Sequence, residues 1–137
     1  MSDKVFFDTN IWIYFYSKMP VEKFQKIQEL LVDPERLVEV STQVLGELFH
    51  VLTRKKITST SEANTIILEL VNASQILEID TPKVFQAIEI HSRYGYTYWD
   101  SLIIATALSS DCTTLYSEDM QHNQLLENKL RIINPFI

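Results

Sequence analysis

The chain has 137 residues, of which 46% are hydrophobic and 22% are charged, and its 18 acidic against 12 basic residues give a formal net charge of −6. This length suits a single domain spanning residues 1–137, and the composition excludes an intrinsically disordered protein. No apolar run approaches the roughly 18 residues that a membrane-spanning helix needs, so no membrane partner is expected. The acidic balance at first argues against nucleic acid, because phosphate-binding domains are usually basic.

The amino-terminal sequence and the cysteine content bear on the cellular compartment. The chain opens without the charged and apolar regions of a secretory signal peptide. Its single cysteine, Cys112, cannot form an internal disulfide, which fits a reducing environment. A cytoplasmic protein is therefore expected.

Short apolar runs alternate with amphipathic segments along the chain. In chain order, the predicted strands are 3–8, 37–40, 76–79, 113–116 and 130–133. Helices are predicted between them, and they begin after Asp8, at Pro20, at Ser41 or Thr42, after Ser59, at Pro82 and, as a nearly all-apolar segment, at 101–108. Strands that alternate with helices predict an α/β domain with a parallel sheet.

Four acidic residues occupy distinctive positions relative to these elements. Asp8 ends the first predicted strand and Asp119 follows the fourth. Asp100 precedes the buried helix, and Glu47 lies inside an apolar helix. In open parallel α/β sheets, ligands bind at the carboxyl ends of the strands. A fold of this class could therefore bring the four carboxylates together at one edge of the sheet.

Each of these acids also has a purely structural interpretation. Asp8 and Asp100 both stand where a helix N-cap is expected, and Asp119 suits an ordinary turn. Glu47 could lie on the exposed edge of its helix, although a buried Glu without a partner is rare. Taken one at a time, the acids leave both interpretations open.

Cation chemistry supports a joint role for the four acids. Two carboxylates roughly 5 Å apart repel each other by about 3 kcal/mol at an effective dielectric constant of about 20. Mg²⁺ prefers oxygen ligands and usually takes one or two carboxylates together with water and phosphate. A metal held by these acids could activate water and stabilise the charge on a phosphodiester.

Five segments spread over nearly the whole chain form an ordered set. They are Val-Phe-Phe-Asp-Thr-Asn at 5–10, Ser-Thr-Gln-Val-Leu-Gly-Glu at 41–47, Tyr-Trp-Asp-Ser-Leu-Ile-Ile-Ala at 98–105, Leu-Tyr-Ser-Glu-Asp at 115–119 and Ile-Asn-Pro-Phe at 133–136. Each segment alone is a loose match. Together, in this order, they resemble the PIN-domain ribonucleases, specifically the VapC-type toxins of bacterial toxin–antitoxin pairs.

The resemblance implies a PIN-like three-layer fold, with a five-stranded parallel sheet flanked by helices. It also implies an endoribonuclease that depends on one or two ions of Mg²⁺ or Mn²⁺, cuts RNA with metal-activated water, and is inhibited by a small cognate antitoxin. The implied catalytic metal ligands are Asp8, Glu47, Asp100 and Asp119, with Asn10 and Ser117 orienting their carboxylates.

Two positions depart from the family pattern. Ser117 stands where Thr is more common, and Glu118 lies beside Asp119. Glu118 leaves open which of the two carboxylates faces the metal, with Asp119 preferred. The four implied ligands supply four of the six net negative charges, so the acidic balance no longer excludes RNA.

Other side chains could contact a substrate or a partner. The basic run Arg54, Lys55 and Lys56 could bind RNA phosphates or could simply be the solvated end of a helix. His122, predicted on a helix near Asp119, could reach substrate or serve in packing. A first aromatic group either packs in the core or forms a groove for an antitoxin helix, and it consists of Trp12, Tyr14, Phe15 and Tyr16. A second group either packs the loop before Asp100 or stacks on unpaired bases, and it consists of Tyr94, Tyr96, Tyr98 and Trp99. The surplus of aromatic residues makes a homodimer a further expectation.

Two other functions compete with the nuclease. A haloacid-dehalogenase-like phosphatase uses a strand-terminal Asp as its nucleophile and has a second Asp two residues later, where this chain has Asn10. A non-catalytic domain that binds RNA or protein would use the four acids only structurally, and Mn²⁺ would then leave its melting temperature unchanged.

Overall fold

The computed structural model describes residues 3–137. The five predicted strands and the six helices predicted between them are present, with ends shifted by at most a few residues. The residues around His122, by contrast, form a loop. The elements in chain order are β1 (Asp3–Phe7), α1 (Thr9–Ser17), α2 (Val21–Val32), β2 (Arg36–Ser41), α3 (Thr42–Arg54), α4 (Thr60–Ala73), β3 (Gln75–Leu77), α5 (Thr81–Tyr94), α6 (Tyr98–Ser109), β4 (Thr114–Tyr116), β5 (Leu125–Leu126) and β6 (Leu130–Ile133).

The strands form one sheet in the order β3-β2-β1-β4-β6-β5, and every pair is parallel except β5 with β6. The predicted α/β fold with a parallel sheet is therefore confirmed. The antiparallel β5 adds a sixth strand to the expected five. It has only two residues, which is too short for an alternating pattern to reveal, and its loop to β6 places Glu127 and Asn128 at positive φ.

Strand β1 is central, with β2 and β3 on one side and β4 and β6 on the other. The strand order thus reverses between β1 and β4, which is the place where ligands bind in open parallel sheets. The backbone N–H of Asp8 donates to the carbonyl of Tyr116 at 2.9 Å, so the segments leaving β1 and β4 start side by side.

The core forms around β1 and α6. Val5, Phe6 and Phe7 are fully buried, because a central parallel strand is covered on both faces. Helix α6 is buried without a break from Ser101 to Leu108 and packs against α5, in agreement with its nearly all-apolar sequence. No helix among residues 3–137 is both long enough and apolar enough to cross a bilayer.

Side-chain caps fix where the helices start. Ser41 caps α3, and Ser59 forms the predicted capping box with Glu62 at the start of α4. The N-cap interpretation of Asp100 is wrong, because the Thr97 side chain accepts the Asp100 N–H and the helix begins at Tyr98. Asp100 therefore lies in the first turn of α6, where its charge favours the helix dipole.

Candidate active site

The four predicted acids line a single cavity of about 380 Å³ at the carboxyl edge of the sheet. Each comes from a different part of the chain: the ends of β1 and β4, the body of α3 and the first turn of α6. The lining residues are Asp8, Thr9, Asn10, Ile13, Glu47, His50, Val51, Asp100 and Asp119. The fold thus gathers side chains that are up to 111 residues apart in sequence.

Asp8 is the most enclosed of the four acids and is held at both carboxylate oxygens. It caps α1 by accepting the Thr9 N–H on Oδ1 at 2.7 Å, and it accepts the Ser117 hydroxyl on Oδ2 at 2.8 Å. Burial, opposed by these two hydrogen bonds and reinforced by the charges of Asp100 and Glu47, raises the pKa of Asp8 to about 6. The capping and cavity-lining roles of Asp8 therefore coexist.

Glu47 enters the cavity from α3 and is fixed by two neighbours. The Thr9 hydroxyl donates to Oε1 at 2.6 Å, and the Gln43 amide lies 3.4 Å from Oε2. The same amide donates to the carbonyl of Trp99 at 3.1 Å. Gln43 thus links the helix that carries Glu47 to the first turn of the helix that carries Asp100.

Asp100 is half-buried at the base of α6. Burial is the main cause that raises its pKa, and the charges of Asp119 and Glu47 add to it, while the Thr97 side chain opposes the shift. Asp8 and Asp100 are therefore both destabilised as anions by their surroundings, which include the other acids of the cavity.

Asp119, and not Glu118, takes part in this group. The Asn10 amide donates to Asp119 Oδ2 at 2.9 Å. Glu118 is engaged elsewhere, since its carboxylate accepts the Tyr14 hydroxyl at 2.5 Å and forms an ion pair with Lys23. The geometry therefore favours Asp119 as the fourth cavity acid.

Comparison with known proteins agrees with the fold. The model of the family described as "PIN domain" matches residues 5–125. The chain belongs to the PIN domain family. No curated protein sequence matches it.

Solved structures of toxins and of toxin–antitoxin complexes share the fold of this PIN domain. VapC20 of Mycobacterium tuberculosis, a sarcin–ricin loop cleaving toxin, has a TM-score of 0.69 and 20% identity over 84% of this chain and 89% of that one. VapBC2 of Rickettsia felis, bound to a DNA fragment from its promoter, has a TM-score of 0.69 and 18% identity over 96% and 99% of the two chains. A toxin–antitoxin complex of Klebsiella pneumoniae has a TM-score of 0.69 and 16% identity over 96% and 97%.

The donor set of the PIN domain cavity suits a hard divalent cation. All four acids offer oxygen, and Asn10 Oδ1 and Gln43 Oε1 beside them are buried acceptors without a hydrogen-bond partner among the residues that the structure describes. Within residues 3–137, no three acidic, histidine or cysteine side chains converge closely enough to enclose an ion. The acids thus line one cavity without meeting at a single point, and an ion held there would complete its coordination with water and phosphate oxygens.

Two contributors to the site escaped the sequence analysis. Thr9 donates its backbone N–H to Asp8 and its hydroxyl to Glu47, and Gln43 contacts Glu47 across one helical turn. Thr9 stands between two predicted site residues, and Gln43 precedes Glu47 by four positions, which is the spacing of contacts on one helix face. These two spacings are the sequence features that point to Thr9 and Gln43.

The remaining predicted contacts divide between the cavity and other surfaces. Asn10 and Ser117 contact Asp119 and Asp8, respectively. Arg54 ends α3 seven residues after Glu47 on the same helix face, and Lys55 and Lys56 follow it, all exposed.

His122 does not join this group. It lies in the loop between β4 and β5 rather than on the predicted helix, and its Nδ1 accepts the Asn134 N–H at 2.9 Å. Its ring therefore braces the C-terminal segment and is not among the residues that line the cavity.

The aromatic residues serve mainly in packing. Trp12 is 3% exposed, and Tyr14, Phe15 and Tyr16 are half-buried against the core. The hydroxyls of Tyr94 and Tyr96 donate to Glu127 and Gln124, which joins the end of α5 to the β5 region. Trp99 differs, since it is 62% exposed.

Proposed function

We propose that this PIN domain is a metal-dependent endoribonuclease that hydrolyses RNA phosphodiesters with Mg²⁺ or Mn²⁺. The observation that carries the proposal is the convergence of Asp8, Glu47, Asp100 and Asp119 on one cavity without a lysine or arginine among its lining residues. Four carboxylates in such a place repel one another, and a bound cation removes that repulsion. The proposal includes one or two such ions in the cavity.

The four acids would hold the metal, and Thr9, Asn10 and Ser117 would keep three of them in place. When bound, the metal acts as a Lewis acid toward the phosphate and lowers the pKa of water. Asp8 cannot rotate freely, because one of its oxygens accepts the backbone N–H of Thr9 and the other accepts the hydroxyl of the buried Ser117. A fixed carboxylate loses little entropy when it binds a ligand, which is the purpose of such supporting contacts.

Asp100 is the acid that we assign to proton transfer. Burial and the charges of Asp119 and Glu47 raise its pKa, so it accepts a proton more readily than an exposed carboxylate. In this assignment the carboxylate of Asp100 takes the proton of the attacking water in addition to its place among the four acids that would hold the metal.

The substrate is proposed to be RNA, with its phosphates approaching along α3. Arg54 lies two turns from Glu47 on the same face of that helix, and Lys55 and Lys56 extend the positive charge. These three side chains are exposed and can follow a mobile backbone. His122 is not part of the proposed contact, because its ring braces Asn134.

We further propose that the protein is the cytoplasmic toxin of a pair and that a small antitoxin is its partner. The support is the shared fold with a sarcin–ricin loop cleaving toxin and with a toxin–antitoxin complex. A homodimer belongs to the same proposal. Co-expression with the short reading frame beside the gene, followed by size-exclusion chromatography, tests the partner and the dimer together; a chain that elutes alone as a monomer would contradict both.

The direct test of the chemistry compares Asp100→Asn with Asp111→Asn on a mixture of natural RNAs with Mg²⁺ or Mn²⁺. The two substitutions remove the same charge near opposite ends of α6, but only Asp100 lines the cavity. We expect cleavage to fall by at least about 100-fold for Asp100→Asn and to be unchanged for Asp111→Asn. Equal cleavage by the two folded variants would refute the assignment.

The same preparations separate the competing functions. A phosphatase would release phosphate from a monoester substrate, but the position where its second Asp is required holds Asn10, whose amide donates to Asp119. A non-catalytic binding domain would leave RNA intact with either metal and would show no metal-dependent melting temperature.

A further inference from the structure

The three residues that connect α5 to α6 support the backbone of Asp100. Gly95 ends α5 with a φ of 79°, a conformation that glycine adopts without steric cost, and it reverses the chain. The Thr97 side chain accepts the Asp100 N–H at 3.1 Å. Between these two residues, the carbonyl of Tyr96 accepts the hydroxyl of the buried Ser101 at 3.4 Å. The connection is therefore tied to the first turn of the helix that carries Asp100.

The side chain of Tyr96 extends from this connection to the segment that carries Asp119. Its hydroxyl accepts the Gln121 N–H at 3.2 Å and donates to Gln124 Oε1 at 2.5 Å. Gln121 stands two positions after Asp119 in the sequence. Tyr96 therefore joins the support of Asp100 to the support of Asp119.

The backbone around Asp119 has few other contacts with the rest of the fold. Residues 117–124, between β4 and β5, form neither helix nor strand. In the part of the chain that the structure describes, residues 118–122 make one backbone hydrogen bond outside their own segment, from Gln121 to Tyr96. The Asp119 N–H donates at 3.3 Å to Ser117, which belongs to the same segment. The course of the backbone just after Asp119 thus depends on Tyr96.

The Tyr96 ring is suited to hold this segment in place. It is half-buried and packs against the core. Burial raises the pKa of the Tyr96 hydroxyl, the Gln121 N–H opposes the shift, and the charge of Asp100 adds to it. The hydroxyl therefore keeps its proton at neutral pH and remains a donor to Gln124.

We propose that Tyr96 is a positioning residue of the metal site and sets the spacing between Asp100 and Asp119. This inference rests on the proposed metal-dependent nuclease and names a residue that holds its ligands in register. A metal bound by acids from separate elements is sensitive to their spacing, because ligand distances must lie within about 0.2 Å of their preferred values. Tyr96 touches neither acid directly and acts through the backbone that carries them.

Tyr94 provides a matched control at the end of α5. Its hydroxyl donates to Glu127 Oε2 at 2.7 Å and accepts the Glu127 N–H at 3.2 Å, which are the same two kinds of bond. These bonds fasten the turn between β5 and β6, away from Asp119 in the sequence. Tyr94→Phe and Tyr96→Phe thus each remove one half-buried hydroxyl, but only Tyr96→Phe alters the support of Asp119.

The test measures the Mn²⁺ dissociation constant of the full chain without RNA, from the electron paramagnetic resonance signal of the free ion. Tyr96→Phe should raise this constant about tenfold, and Tyr94→Phe should change it less than about twofold. Both variants should lower the melting temperature of the metal-free protein, because each loses comparable hydrogen bonds. In the Asp119→Asn background, Tyr96→Phe should leave the Mn²⁺ dissociation constant unchanged, because the carboxylate through which it acts is absent.

RNA cleavage gives a second readout. Tyr96→Phe should raise the Mn²⁺ concentration that gives half-maximal cleavage about tenfold, and the rate at saturating Mn²⁺ should change little. Tyr94→Phe should change neither quantity. A residue that served the stability of the fold alone would lower the melting temperature without this selective loss of metal affinity.

The inference is wrong if Tyr96→Phe binds Mn²⁺ as tightly as the parent does, or if Tyr94→Phe loses as much affinity. A further loss for Tyr96→Phe in the Asp119→Asn background would also contradict it. A parent protein that binds no Mn²⁺ would overturn the proposed nuclease and this inference together. A parent that binds Mn²⁺ and cleaves RNA, with Tyr96→Phe unaffected, would overturn the inference alone.

Discussion

Two buried carboxylates, at opposite ends of the sheet, show how a structural acid differs from a candidate ligand. Glu39 lies in the middle of β2 with its carboxylate beside Lys4 and Ser110 toward the amino end, and it is 3% exposed. Asp8 at the carboxyl end is 7% exposed. Glu39 has a cationic neighbour, Lys4, and a hydroxyl donor, Ser110. Asp8 has only neutral donors, and its charged neighbours are other acids. Equal burial therefore has opposite electrostatic consequences at the two ends.

The difference shows that burial alone does not mark a functional acid. A buried anion needs a partner, and the fold supplies one for Glu39. The surroundings of Asp8 instead make its ionised form costly, which raises its pKa to about 6. A cation bound beside Asp8 would lower that cost, which supports the metal site proposed at the end of β1.

The largest expected effect is a pH dependence of the metal-free protein. Because the folded-state pKa of Asp8 is raised from 3.8 to about 6, its contribution to stability is complete below about pH 4 and is lost as the pH rises through 6. We expect a loss of about 3 kcal/mol in the free energy of unfolding between pH 4 and pH 7, and Asp100 adds to it in the same direction. Urea denaturation with a chelator present measures it.

The two carboxylates provide the control for that measurement. Asp8→Asn should remove most of the pH dependence, whereas Glu39→Gln should preserve it, because that substitution leaves Asp8 and its hydrogen bonds unchanged. Identical pH profiles for the parent and Asp8→Asn would show that Asp8 is not the titrating group.

The next largest effect is stabilisation by metal. At a concentration of about 100 times its dissociation constant, Mn²⁺ should raise the free energy of unfolding by about 2.7 kcal/mol. The gain should increase from pH 5 to pH 7, because Asp8 must lose its proton to bind the ion. Calorimetry at the two pH values checks this, and a gain in the Asp8→Asn variant equal to that of the parent would contradict it.

The comparison of Asp8 with Glu39 predicts that the two matching amide substitutions change stability in opposite directions in metal-free protein at pH 7. Asp8→Asn removes an unfavourable buried charge and should stabilise the fold by about 2 kcal/mol. Glu39→Gln weakens a charge-assisted bond from Ser110 and leaves Lys4 without its partner, so it should destabilise by about 1–2 kcal/mol. Chemical denaturation of the two variants gives the sign of each change in the free energy of unfolding. Changes of the same sign would contradict the distinction between Asp8 and Glu39.

Sequence patterns predicted the parallel sheet and the candidate acids because both leave local traces. An apolar run that ends in Asp8 indicates a strand followed by a polar edge, and the all-apolar 101–108 segment indicates a buried helix. The cap of α6 was misplaced because Thr97 and Asp100 are both competent caps, and the choice depends on packing. The two-residue β5 and the role of Gln43 depend on contacts that no local period records.

The choice of Asp119 over Glu118 also depended on the three-dimensional structure. Both carboxylates follow β4, and neither their types nor their spacing separates them. Lys23 and Tyr14, which come from α2 and α1, hold Glu118 away from the cavity. Burial alone would raise the pKa of Glu118, but the hydrogen bonds from Lys23 and Tyr14 lower it. Glu118 is thus satisfied where it is, as Glu39 is.

That ion pair carries a smaller prediction for activity. Lys23→Met should loosen the segment that carries Asp119 and lower RNA cleavage by about tenfold, because contacts that support a ligand affect metal affinity. Lys23→Arg should restore most of it, and Lys26→Met, whose lysine pairs with Glu29 within α2, should have no effect. Cleavage measured over a range of metal concentrations separates a weaker metal affinity from a lower maximal rate. An equal loss of cleavage for Lys26→Met and Lys23→Met would mean that the loss of any positive charge on α2 has this effect.

The smallest expected effect concerns the charge of the whole protein. The formal charge of −6 becomes −2 without the four cavity acids, and two divalent ions bound among those acids would restore the holoprotein to the same −2. Metal-loaded protein should therefore bind RNA several-fold more tightly than metal-free protein at equal ionic strength. Stopped-flow anisotropy measures this before cleavage proceeds. Equal affinities would mean that the four cavity acids do not face the RNA. A gain in affinity that disappears in Asp8→Asn but persists in Glu39→Gln would assign the repulsion to the carboxyl end of the sheet.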